Sequence, residues 1–438
     1  MTLIDLSAPA VRDSRLDGLP VAIIGAGPIG LAAAAHLVER GLDFVIYEAG
    51  ETVASSMSSW GHIRLFSPWK HLIDPTAQRL LEADGWTAPR YQDKAPTGSE
   101  LVEQYLVPLA ALDSIASHIV TGTRVAAVTR QGMDRTRSTG RAETPFALRI
   151  AAVDGSTSEV TARAVIDASG TYLNTNSLGS NGLDPLGLAA VAGHVTHALP
   201  DVLGVDRVRF AGKHITVVGA GHSAANTLIN LATLIQTSPE TTVTWVIRNK
   251  SAVRVFTADD DELSLRASLG AKMKKLIDFG VITVVDGFEI VELAKDGDRV
   301  DIAGLRSGGI EHIHTDLVVN ATGFRPDLSM LREIRLSLDE IVEAPVKLAP
   351  LIDPNLHSCG TVEPHGFTEL EQPEPNFFIA GMKSYGRAPT FLLATGYEQV
   401  RSITAYLAGD LTAARKVELV LPATGVCSTD ASASSCCS

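Results

Sequence analysis

Cysteine is scarce in this chain: four occur in 438 residues, and none before Cys359. That excludes a dense disulfide framework and suits a reducing compartment. Basic charge is also short. Lys and Arg number 37 against 50 Asp and Glu, a net charge of −13, and a general phosphate-backbone binder needs clustered positive charge instead. Nucleic acid is therefore not an expected partner. No export signal is legible between Met1 and Pro20, where Asp5, Arg12, Asp13, Arg15 and Asp17 break up the apolar residues, and a cytoplasmic location is expected. Two stretches without Asp, Glu, Lys or Arg, Val21 to Val38 and His214 to Ser238, reach the length of a spanning helix. Glycines interrupt each near its start, so both read as strand, turn and helix, and no membrane span is expected. What remains is the composition of a globular chain, 45% apolar and 20% charged, with the mass of roughly three domains at about 150 residues each.

The first motif begins with Val21-Ala22-Ile23-Ile24, then Gly25-Ala26-Gly27-Pro28-Ile29-Gly30, an Ala-rich stretch from Leu31 to Arg40, Gly41, and Phe44-Val45-Ile46-Tyr47-Glu48. The order predicts a buried parallel strand, a G-x-G-x-x-G turn, a helix with a glycine stop, and a second strand ending in an acid. Binding a dinucleotide requires these residue types here. Gly25 permits the tight turn. Gly27 admits a pyrophosphate to the backbone N–H groups of the helix start, which Pro28 and Ile29 open, and Gly30 lets helix and strand pack closely. Glu48, followed by Ala49, is placed to accept hydrogen bonds from ribose hydroxyls.

The design recurs at His214-Ile215-Thr216-Val217-Val218, then Gly219-Ala220-Gly221-His222-Ser223-Ala224, with an apolar helix through Ile235. Ala224 is an accepted variant of the third glycine. The next strand, Thr242 to Ile247, ends in Arg248-Asn249-Lys250, so base replaces acid. A carboxylate there would repel a ribose 2′-phosphate, whereas Arg248 and Lys250 pair with one. NADPH is thus expected over NADH, and a pair of solvated basic residues is the competing reading.

Two such units suggest a flavin reduced by a nicotinamide, and over about residues 20–412 the chain resembles the two-dinucleotide-binding-domain flavoproteins. Val165-Ile166-Asp167-Ala168-Ser169-Gly170-Thr171 and Leu317 to Asp327, which includes Ala321-Thr322-Gly323, are similar to the paired crossings that join the two domains in that superfamily. Asn376 to Gly381 is similar to the strand that precedes the flavin's ribityl contact. The resemblance also implies a helix that opens near Thr395 and turns its positive end to the flavin pyrimidine. One departure is Gly381-Met382, where many relatives have Gly-Asp, so the usual carboxylate contact is absent or comes from elsewhere. The implied fold is α/β with two Rossmann-like dinucleotide-binding domains. A discontinuous FAD domain, residues 1–204 and 323–412, holds an inserted NADPH domain, 205–322, and a Cys-containing tail follows at 413–438.

Disulfide reductases of this superfamily carry a redox-active cysteine pair in one domain or the other. Residues 1–358 contain no cysteine, which excludes that mechanism in its usual form. The other large branch, the class B flavin monooxygenases, uses NADPH, FAD and O2 and holds a flavin C4a-hydroperoxide. Ser58-Ser59-Trp60-Gly61-His62-Ile63-Arg64-Leu65-Phe66-Ser67-Pro68 is similar to the Trp-containing loop and R-L-x-[ST]-P stretch of that branch, which makes Trp60 and Arg64 candidate catalytic residues. A buried Arg64 would need an anionic partner such as reduced flavin or a cofactor phosphate; a surface salt bridge is the alternative. Trp60 and Trp69 read equally as core or as flavin-flanking aromatics. The branch signature F-x-G-x-x-x-H-x-x-x-[FY] is half kept: Gly193 and His197 match, Val191 and Asp201 do not, and His197 is as readily structural as catalytic.

Cys427, Cys436 and Cys437 lie on a Ser- and Ala-rich end. Adjacent Cα atoms about 3.8 Å apart fall short of the usual disulfide range of roughly 4.4–6.8 Å. The pair Cys436-Cys437 therefore suits capture of a soft thiophilic ion better than crosslinking. With Cys359, itself readable as a packing thiol, these are the candidate ligands for a metalloid. The tail and the Trp60 loop together are similar to the flavin monooxygenases that oxidise trivalent arsenicals or antimonite. Two alternatives stay open: a flavin reductase passing electrons through the tail thiols to a disulfide or metal ion, and a nucleotide-binding protein without turnover.

Overall fold

The computed structural model describes residues 15–250, 264–353, 364–388 and 391–419, the side chains of 264–268 excepted. Its strands run in chain order as β1 (Val21–Ile24), β2 (Phe44–Tyr47), β3 (Ile119–Val120), β4 (Thr123–Arg130), β5 (Phe146–Ala152), β6 (Thr157–Ala162) and β7 (Ala164–Asp167) in the first half. There follow β8 (Val195–His197), β9 (His214–Val218), β10 (Thr242–Val246), β11 (Thr283–Val285), β12 (Glu289–Asp296), β13 (Arg299–Arg306), β14 (Gly309–Thr315), β15 (Leu317–Asn320) and β16 (Phe377–Ile379).

Two parallel sheets dominate, in the orders β16-β7-β1-β2-β3 and β11-β10-β9-β15-β8. Each carries a three-stranded antiparallel sheet beside it in the sequence, β4-β5-β6 and β12-β13-β14. The central strands are short apolar runs buried on both faces, as a covered parallel sheet requires: all four residues of β1 are buried, and β1 pairs with β2 from Val21 opposite Phe44 to Ile24 opposite Tyr47. The helix Pro28–Glu39 starts with Pro at its first position, where no N–H is needed, and Gly41, at φ 65°, ends it. Its alanines remove bulk, so every residue from Ile29 to Leu37 is buried; the helix packs against the sheet and against helix Leu393–Leu407. The two stretches without charged residues thus resolve into strand, turn and helix. Among the described residues no helix is long and apolar enough to cross a membrane.

The α/β class and the two Rossmann-like sheets stand as expected. The second unit begins earlier than residue 205, however. Strand β8 pairs with β15 as the edge of the second sheet, and Leu178 and Val191 belong to a core shared with Val218, Val246 and Phe288. Residues 176–204 therefore pack with the nicotinamide-side unit, because their apolar side chains find cover against its antiparallel sheet.

Candidate functional site: two nucleotide cradles and the loop between them

The first glycine turn is closed by backbone crowding. Gly25 has φ 98°, and a Cβ on it would stand 2.9 Å from Ala168 O. A Cβ on Gly30 would stand 1.9 Å from Gly25 O. Gly27 differs: it is the extended N-cap of the helix, no side chain caps that end, and a Cβ there would meet nothing within 4 Å. The helix start thus presents free N–H groups over open space, which fits a pyrophosphate. Glu48 is buried. Its Oε2 accepts from Ala26 N (2.7 Å), and its Oε1 accepts from Gly50 N (2.8 Å) and Ser55 Oγ (2.9 Å). Of about four acceptor sites on a carboxylate these use three, which leaves one for a ribose hydroxyl. Ala49 beside it is exposed.

The second turn repeats the geometry. Gly219 has φ 134°, with a Cβ position 2.1 Å from Ala321 O, and Gly221 is again an extended, uncapped helix start over open space. His222 and Ser223 open that helix, and Ala224 is fully buried. Arg248 and Lys250 lie exposed past the end of β10. Arg248 donates from Nη1 to Ser180 O at 3.3 Å.

Between the cradles the two crossings are laced together. Thr175 and Phe324 form an antiparallel bridge, Asn176 N donates to Gly323 O at 2.9 Å, and Arg325 N donates to Asn174 O at 3.0 Å. Gly170 and Gly323 hold φ of 71° and 101° there, and Asn176 Nδ2 donates to Thr322 O at 3.2 Å. His197 packs into this hinge, its ring 4.4 Å from Tyr172 and 5.6 Å from Phe324 between centroids, with Nε2 2.8 Å from Tyr172 O. Burial pushes the Tyr172 phenol up to about 12. The partly kept signature thus places His197 in hinge packing.

Behind the flavin-side turn, Ile29 fills a notch between Gly381 and Gly396: a Cβ on either would come within 3.0 Å of its side chain. Gly381 N donates to Gln399 Oε1 at 2.8 Å. The helix expected to open near Thr395 starts at Leu393, so Thr395, buried, sits in its first turn. Sequence reading missed the group that follows Gly381-Met382. Lys383 is buried and donates to Asp167 Oδ2 (2.7 Å) and Ser169 Oγ (3.1 Å). The Asp167 carboxylate at the end of β7 is therefore matched by an ammonium rather than left over as a substitute for the missing Gly-Asp acid. A lone Lys just after an apolar strand was the available signal.

The loop after β2 decides between the two readings of Arg64. Arg64 is exposed; its Nη1 donates to Ala95 O at 2.5 Å and lies 3.7 Å from Glu100 Oε2. Of the two readings of Arg64, the surface ion pair is the one present, and its guanidinium has no burial that would require an anionic cofactor beside it. Trp60 is half-buried with its ring against Gly98, and Trp69 is buried in the flavin-side core. Phe66, not singled out from sequence, packs on the core of the second unit. Cys359, Cys427, Cys436 and Cys437 lie outside the described residues. Among the described residues no group of three or more His, Cys, Asp or Glu is placed to hold a metal ion.

Two uncapped nucleotide cradles on parallel sheets, hinged by paired crossings, define a two-nucleotide flavoprotein. The chain belongs to the pyridine nucleotide-disulphide oxidoreductase family, whose match spans residues 22–355. It is 29% identical over 212 residues to indole-3-pyruvate monooxygenase YUCCA6 of Arabidopsis thaliana, a match covering 48% of this chain and 44% of that protein. The chain thus spans less than half the length of that curated relative. Among solved structures it is similar to bacillithiol disulfide reductase of Bacillus cereus (20% identity, TM-score 0.67, 89% of this chain and 99% of that one). It is also similar to the FAD-bound cadaverine monooxygenase DfoA of Erwinia amylovora (14%, 0.61, 92% and 98%) and to the Kutzneria ornithine N-hydroxylase with reduced FAD, NADP⁺ and L-ornithine (14%, 0.58, 91% and 100%). At these identities the structural likeness speaks for the fold. DfoA is bound to FAD and the Kutzneria enzyme to reduced FAD and NADP⁺, and the two cradles of this chain fit those cofactors.

Proposed function

We propose that this flavoenzyme is an NADPH-dependent FAD monooxygenase that oxygenates a small, soft nucleophile, with trivalent arsenicals and antimonite as the substrate class. The observation that carries the oxygenase reading is the absence of any thiol from residues 1–358: both glycine cradles are intact, yet neither nucleotide unit holds the cysteine pair that disulfide reduction needs. Bound FAD would supply the oxygen chemistry. The chain's own task is to hold and enclose. Gly25, Gly27 and Gly30 seat one pyrophosphate; Gly219 and Gly221 seat the other, with Arg248 and Lys250 matched to a 2′-phosphate. Trp60 serves by packing the loop against Gly98, and Arg64 by tying that loop to Ala95 and Glu100. The metalloid class rests on the tail thiols Cys427, Cys436 and Cys437.

Purified yellow protein should bleach with NADPH under nitrogen and recolour in air, and arsenite, antimonite or methylarsenite should accelerate NADPH oxidation with formation of oxygenated product. Hydrogen peroxide alone with every compound would refute the metalloid assignment. The tail also favours a second reading, a dithiol shuttle to a disulfide or metal ion. Deleting residues 426–438 separates the two: a shuttle loses turnover, whereas a monooxygenase keeps NADPH oxidation and oxygen uptake.

A further inference from the structure

The nicotinamide-side unit joins the flavin side at the laced hinge, where Thr175 bridges Phe324 and His197 packs on Tyr172 and Phe324. A second contact comes from the loop after β2. Its backbone is tied to residues 92–98 of the flavin side: Leu65 N donates to Pro96 O (2.8 Å), Gly98 N to Ile63 O (2.9 Å), Trp69 N to Lys94 O (3.1 Å) and Lys70 N to Gln92 O (3.1 Å). From this anchored segment Phe66 reaches across the boundary. Its ring packs on the second unit's core and meets His222 edge-on, 5.2 Å between centroids at 63°. His222 is the first residue of the helix whose start fits the nicotinamide nucleotide's pyrophosphate.

We propose that Phe66 is a positioning residue for flavin reduction, the second fixed point that holds the nicotinamide cradle facing the flavin. The inference rests on the reading that NADPH reduces FAD in this chain. In that step a hydride, two electrons with one proton, leaves NADPH to give NADP⁺ and reduces FAD by two electrons. Such a transfer needs donor and acceptor atoms within about 3–3.5 Å, and an ångström of misplacement costs on the order of a hundredfold. A ring that fixes the cradle's orientation therefore acts on the rate of transfer more than on nucleotide affinity, which belongs to Gly219, Gly221, Arg248 and Lys250.

The test is anaerobic stopped-flow bleaching of the flavin in the full-length holoenzyme, wild type against Phe66→Ala and Phe66→Tyr. For Phe66→Ala the limiting rate with NADPH should fall tenfold or more, on the order of the loss that misplacement produces, while the NADPH concentration for half-maximal rate changes little. Dithionite bleaching and reoxidation in air should match wild type, since neither needs the nucleotide unit in place. Phe66→Tyr, which keeps the ring, should restore the rate. Should the alanine variant lose its flavin, Phe66→Leu, which keeps apolar bulk but no ring, carries the same expectation. A limiting rate near wild type, a slowing with dithionite as well, or no rescue by Tyr overturns the proposal. Wild type that dithionite bleaches and NADPH does not overturns the reading beneath it.

Discussion

The two nucleotide units share a backbone plan and differ in where they keep charge. Both turns place a positive-φ glycine against a neighbouring carbonyl and leave an extended glycine uncapped at the helix start. Around the flavin-side sheet, ionic groups are buried: Glu374 lies between Arg130 and Arg141 (2.7 and 2.8 Å), and Lys383 meets Asp167, with side chains at most 4% exposed. Around the nicotinamide-side sheet the core is apolar and the pairs are at the surface, as with Arg306 and Asp286 at 33% and 45%. The strand-end charges follow the same division, with Glu48 enclosed by three donors and Arg248 and Lys250 exposed. One cradle is built around fixed charge, and the other carries its charge where it is easily changed.

Glu374→Gln should break this contrast hardest. Losing the charge strands two buried guanidinium groups, a change that costs about 3–5 kcal/mol in such settings, read by chemical denaturation; a loss under about 1 kcal/mol would contradict the burial argument. Gly30→Ala should come next, because its Cβ has no room against Gly25 O: about 1–3 kcal/mol or more, with flavin lost on gel filtration. The matching change in the second unit, Ala224→Gly, should cost only about 1 kcal/mol. Arg248→Ala with Lys250→Ala should raise the KM for NADPH about 10- to 100-fold, the equivalent of charge-assisted hydrogen bonds, and leave NADH kinetics unchanged; equal effects on both nucleotides would remove the 2′-phosphate assignment. Acid sharpens the comparison further. Burial pushes the Glu374 carboxyl up, but hydrogen bonds from Arg141 and Arg130 outweigh that and hold it below its usual value. Its stabilisation is thus complete above the unfolded pKa of about 4.3 and is lost as pH falls through the folded one. Stability of the wild type should drop more steeply below that pH than stability of Glu374→Gln. The smallest effect belongs to Arg306→Ala, whose pair with Asp286 lies at the solvent boundary, where ion pairs contribute little.

Legibility in the sequence followed sequence distance. The strands Val21–Ile24 and His214–Val218, both glycine turns and the helix end at Ile235 were readable because each is decided by neighbours a few residues away. Which of the two readings of Arg64 holds was not legible, because its surroundings come from Ala95 and Glu100, thirty-odd residues on. The pair Lys383–Asp167 and the contact of Phe66 with His222 join segments more than 150 residues apart, and no local pattern encodes them. The start of the second unit was missed for a similar reason: β8 is three residues long, and only its pairing with β15 assigns it.

The laced crossings have a consequence for how such a chain was assembled. With Asn176 N bonded to Gly323 O, the stretch from 176 to 323 leaves the flavin-side fold and returns to it at a single point. Its ends are close enough to be joined by a short loop, and the ends it leaves behind are equally close. The nicotinamide unit is in this sense a cassette attached at one junction, and a graft there needs to reproduce the crossing ladder, the packing of His197 on Tyr172 and Phe324, and the contact of Phe66 with His222.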